Sequence, residues 1–60
     1  MKYGILFRFS YQDEFGAALF SNGEFRFFST PKDATEWINS ALGKVDFRVV
    51  TERWLEENYA

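Results

Sequence analysis

The segment Thr30-Pro31-Lys32-Asp33-Ala34-Thr35-Glu36-Trp37-Ile38-Asn39-Ser40-Ala41-Leu42-Gly43 carries both the start and the stop signals of a helix. Thr30 suits an N-cap, where its hydroxyl can take up a free backbone N–H. Pro31 suits the first helical position, where a missing N–H costs nothing. Asp33 adds negative charge near the positive end of the helix dipole. Ala34, Trp37, Ile38, Ala41 and Leu42 follow the spacing of one buried stripe, and Gly43 is placed to end the helix.

On the N-terminal side the period changes from 3.6 to two. Tyr3, Ile5, Phe7 and Phe9 alternate with Gly4, Leu6 and Arg8, which predicts a strand over 3–9. The polar stretch Ser10 to Glu14 reads as a loop. Phe15–Phe20 and Glu24–Ser29 read as a second and a third strand. Asn22-Gly23 between them is a strong hairpin signal, because both residues tolerate the positive φ of a type I′ turn. On the C-terminal side, Val45, Phe47 and Val49 alternate with Asp46, Arg48 and Val50 in a fourth strand. Thr51 is placed to cap a short last helix, Glu52–Asn58.

These elements predict an α+β fold in the order β-β-β-α-β-α. A four-stranded, mostly antiparallel sheet carries the main helix on one face, and the short helix closes the chain. A right-handed crossover through the main helix sets strand four parallel to strand three, and so to strand one; the simplest placement gives the sheet order 3-2-1-4, with a terminal place beside strand three as the alternative. In this order of elements the chain resembles the partial ribonuclease-H-like sheet of HicB-type antitoxins, a likeness of topology that carries no function.

Sixty residues make a single domain, 1–60. A domain this small buries about 60% of the surface its unfolded chain exposes, so its stability margin is narrow. There is no Cys and no His, which removes disulfides and the usual zinc, haem and iron–sulfur ligands. Eight Phe, three Tyr and two Trp must supply the core instead. No apolar run reaches the about 18 residues of a membrane span. The opening Met1–Phe7 is followed at once by Arg8 and lacks a small-residue cleavage site, unlike a signal peptide. A cytoplasmic, cysteine-free protein is the expectation.

The hairpin allows a sharper deduction. With Asn22 and Gly23 as the two turn residues, Phe20 faces Phe25 and Leu19 faces Arg26. Opposed residues share a face, so Gly16, Ala18, Phe20, Phe25 and Phe27 turn to the helix. Phe15, Ala17, Leu19, Arg26 and Phe28 then turn away from it, together with Arg8 and Arg48 of strands one and four. The result is an Arg-aromatic face: Arg8, Phe15, Leu19, Arg26, Phe28 and Arg48. Most carboxylates fall on the helices instead.

Arg and aromatic residues are enriched at interface hot spots. This face is therefore expected to bind another protein with an acidic surface, as a regulator or inhibitor of the size found among phage products. A second copy of the chain is another candidate occupant, and so is the C-terminal helix, folding over the face with Trp54 and Leu55. Strand three could also add a partner's strand at its edge. Single-stranded nucleic acid is the alternative ligand, with bases stacked on Phe and phosphates on Arg. The net charge of −2 weighs against it.

Catalysis has little to work with. Asp13-Glu14 is the one acidic pair outside the helices, and neighbouring loop carboxylates are ordinarily solvated. Gly16, Gly23 and Gly43 stand apart rather than forming a phosphate loop. No enzyme activity, metal or cofactor is expected.

Overall fold

The computed structural model describes residues 1–59. Its centre is β1 (Tyr3–Arg8), flanked by β2 (Gly16–Ala17) on one side and β3 (Asp46–Thr51) on the other. Both neighbours run antiparallel to β1. Helix α1 (Pro31–Leu42) lies between β2 and β3 in the chain, and α2 (Glu52–Tyr59) follows β3 directly. Among the described residues no helix is long and apolar enough to cross a membrane.

The helix ends form as their residues dictate. Thr30 is extended and its Oγ1 accepts the Asp33 N–H at 3.1 Å, with Pro31 opening the helix. Gly43 has φ 71°, a conformation that favours glycine, and its N–H reaches Asn39 O at 3.2 Å. Thr51 Oγ1 accepts the Trp54 N–H at 3.1 Å and so caps α2.

The core lies between β1 and α1. Ile5, Ala18, Ala34 and Ile38 are buried together, with Phe7, Phe28, Trp37, Leu42 and Val45 around them. Phe47 and Val49 of β3 join the same side. The alternation read along the first and fourth strands thus faces the helix as expected.

The expected third strand is different. The turn is not the two-residue type I′ form: Gly23 has φ 89°, but no non-glycine residue, Asn22 included, has a positive φ. The Gly23 N–H reaches Phe20 O at 3.0 Å and the Phe20 N–H reaches Glu24 O at 2.8 Å. These bonds define a three-residue loop, Ser21–Gly23, with glycine at its left-handed position. Asn22 Oδ1 accepts the Glu24 N–H at 3.0 Å and holds the loop. Pairing therefore shifts by one residue, with Leu19 opposite Phe25. A slip of one residue exchanges the faces.

The chain also does not lay this strand beyond β2. Ala18 donates to Ile5 O at 2.9 Å, the hairpin 19–27 leaves the sheet edge, and Phe28 rejoins β1 opposite Tyr3. The hairpin is an excursion along one edge of β1, and the sheet has three strands rather than four. Because Phe28 is antiparallel to Tyr3, the crossover through α1 returns β3 antiparallel to β1, not parallel. The order 3-2-1-4 is replaced by β2-β1-β3. With it goes the resemblance to the antitoxin sheet.

Candidate functional site

The sheet face away from α1 is covered only in part. Gly4 on β1 leaves room for α2, and Leu55 is buried against it. Beyond that contact the outer face stays open. Leu6, Arg8, Phe15 and Arg48 form its floor and Trp54 and Tyr59 of α2 its wall, around an open cleft of about 590 Å³. Asp13 and Glu14, in the loop after β1, stand at the rim.

Phe15 organises this cleft. The Arg8 guanidinium lies 4.8 Å from its ring centroid and that of Arg48 lies 5.4 Å away. Two cations on one ring are attracted by its negative face. The Phe15 carbonyl accepts from the Tyr59 hydroxyl at 3.3 Å, which ties the loop to α2. Trp54 and Tyr59 pack against each other with ring centroids 5.9 Å apart. They remain 38% and 45% exposed, so both offer apolar surface to a ligand.

The two arginines are not equivalent. Arg8 Nε donates to Asp46 Oδ2 at 3.3 Å, and its Nη1 donates to Asp13 O at 3.1 Å. Arg48 makes no hydrogen bond or ion pair among the described residues. It is the cleft's uncommitted cation, while Arg8 is a strut that fixes the loop.

Three of the six expected site residues, Arg8, Phe15 and Arg48, therefore come together. The other three do not. Arg26 and Phe28 stand on the α1 side, as the shifted register requires. The Arg26 guanidinium lies between Phe20 and Trp37, 4.2 and 4.8 Å from their centroids. Its Nε is buried without a hydrogen-bond partner. Phe28 packs on Trp37 at 5.6 Å and belongs to the core. Leu19, 49% exposed, sits on the projecting hairpin away from the cleft.

Trp54, expected either to cover the sheet or to stand exposed as an interface anchor, and Tyr59, expected to pack at the edge of the fold, both line the cleft. The spacing of Leu55 and Tyr59, four apart on α2, was the available signal, since such residues share a helix face. Leu55 docks and Tyr59 lines the cleft beside it.

The chain matches no protein-family model, no curated protein and no solved structure.

Proposed function

We propose that this chain is a small non-enzymatic, cytoplasmic protein-binding module that docks a partner in the cleft between the outer sheet face and α2. The carrying observation is the pair of guanidiniums on Phe15, beside two half-exposed rings, in one open depression. Trp, Tyr and Arg are the residue types that concentrate binding energy at interfaces. A regulator or inhibitor would act by occupying a partner surface through these few side chains.

The matching ligand is a peptide segment with a carboxylate beside an apolar or aromatic residue. Its carboxylate meets Arg48, which has spare donors, and its apolar neighbour packs on Trp54 and Tyr59. A polyphosphate suits the cleft less well, because the Asp13 and Glu14 carboxylates stand at the rim.

The test is selection from a displayed random peptide library on the immobilised protein, with Trp54→Ala as the counter-screen. Enriched peptides combining acidic and aromatic residues, and lost on Trp54→Ala, are the expected result. Enrichment of basic peptides, or enrichment indifferent to Trp54→Ala, would refute the proposal. Oligo(dT) binding that weakens steeply with salt would favour the nucleic-acid alternative.

A further inference from the structure

Strand β3 is an edge of the sheet, and half of its backbone is uncommitted. Tyr3 exchanges both backbone hydrogen bonds with Phe28, at 2.9 and 2.8 Å, and Ile5 O accepts from Ala18 at 2.9 Å. The odd-numbered residues of β1 therefore address the β2 side. Gly4, Leu6 and Arg8 address β3, where they stand opposite Val50, Arg48 and Asp46. The N–H and C=O groups of Phe47 and Val49 point outward, and among the described residues nothing pairs with them. This strand has neither an inserted proline nor a bulge to guard its edge, and its two edge charges, Asp46 and Arg48, are of opposite sign.

The sequence along this edge is complementary to itself. Val45-Asp46-Phe47-Arg48-Val49 places valine against valine and acid against base around a central phenylalanine. About a two-fold axis at Phe47, two copies oppose Phe47 to Phe47, Asp46 to Arg48 and Val45 to Val49. The phase also fits, because in this register the outward-pointing groups of Phe47 meet those of the other Phe47. Other registers of the same phase are less complementary; centring on Val45 sets Lys44 against Asp46 but carries the pairing out of β3, with Gly43 opposite Phe47. Centring on Arg48 opposes two arginines. Centring on Asp46 opposes two aspartates and sets Lys44 against Arg48. Centring on Val49 leaves Arg48 facing Val50.

We infer that the chain pairs with a second copy of itself through antiparallel β3 edges in the Phe47-centred register. The interface is isologous, as two-fold dimers require, and the two sheets become one continuous sheet. Both α1 helices lie on one face and both clefts on the other. Arg48 carries five N–H donors, enough to meet the partner's Asp46 and still address the cleft, and Asp46 has Oδ1 free beyond its bond to Arg8. Residues 45, 47 and 49 stay packed toward α1 in each copy.

The test is sedimentation equilibrium from micromolar to millimolar protein, on wild type, Asp46→Arg, Arg48→Asp and the double exchange. Wild type rises to twice the chain mass. Each single change sets like charges opposite at both symmetric positions and weakens association about tenfold or more. The double exchange restores complementarity and the wild-type affinity to within a few fold. Asp46→Arg and the double variant both lose the Arg8 ion pair, so comparing them isolates the contact between copies. A monomer at all concentrations, indifference to Asp46→Arg, or a double variant no better than the singles would each overturn the inference. Should a variant fail to fold, amide exchange on wild type decides. The Phe47 and Val49 amides gain protection with concentration if the edges pair, and protection independent of concentration refutes the pairing.

Discussion

A methyl group of Leu55 on α2 occupies the space in which a side chain at Gly4 of β1 would begin. Leu55 is 1% exposed, so it has little room to withdraw. This contact is where the C-terminal helix locks onto the outer sheet face, and the cleft exists because the lock engages only one end of that face. Gly4→Ala is therefore expected to destabilise the fold by about 1–3 kcal/mol through overpacking. Leu55→Ala alone costs about 2–5 kcal/mol through the cavity it leaves. Combined, the two changes should cost less than their sum, because the new methyl enters the vacated space. Chemical denaturation of the four proteins measures this coupling, and strict additivity would show that the two residues do not meet.

Arg26 tests the corrected hairpin register. A guanidinium between Phe20 and Trp37 is worth about 0.5–2 kcal/mol. Arg26→Glu replaces it with a carboxylate facing two ring faces, so the thermal midpoint should fall. Arg26→Lys should recover part of the loss. Trp37 fluorescence should respond to both changes, through a ring contact that only this register makes. A midpoint unchanged in Arg26→Glu would place the side chain in solvent and restore the two-residue turn.

The helix start and the core should separate by magnitude. Thr30→Ala removes one cap bond and is expected to cost about 1 kcal/mol. Ile38 is fully buried, and Ile38→Ala is expected to cost about 2–5 kcal/mol. In a domain of narrow margin, the first variant should fold and the second should be largely unfolded at ambient temperature. Far-ultraviolet circular dichroism during a thermal scan distinguishes them.

The legible parts of the sequence are those where local chemistry decides. Thr30, Pro31 and Gly43 fix α1 through backbone groups within a few residues of themselves, and Thr51 does the same for α2. The alternation of Ile5 and Phe7, and of Phe47 and Val49, places two strands against the helix. The hairpin resisted because Asn-Gly serves two turns. A type I′ turn uses positive φ at both residues, whereas the observed loop asks it only of Gly23. Ala17 and Ala18 carry little side chain to hold a long strand, so nothing local distinguishes a third strand from an excursion. That single-residue slip moved Arg26 and Phe28 to the core side, while Arg8, Phe15 and Arg48 lie outside the slipped segment and gather at the cleft.

The most direct test of the docking cleft is backbone and indole amide shift mapping on isotope-labelled protein, titrated with a library-selected acidic-aromatic peptide. Shifts are expected to gather on Phe15, Arg48, Trp54 and Tyr59. Arg48→Glu, while remaining folded, should weaken binding about thirtyfold, the effect of losing a hot-spot interaction of about 2 kcal/mol. Shifts centred on Leu19 and Phe20 of the projecting hairpin, or an affinity unchanged in Arg48→Glu, would contradict the cleft as the binding site.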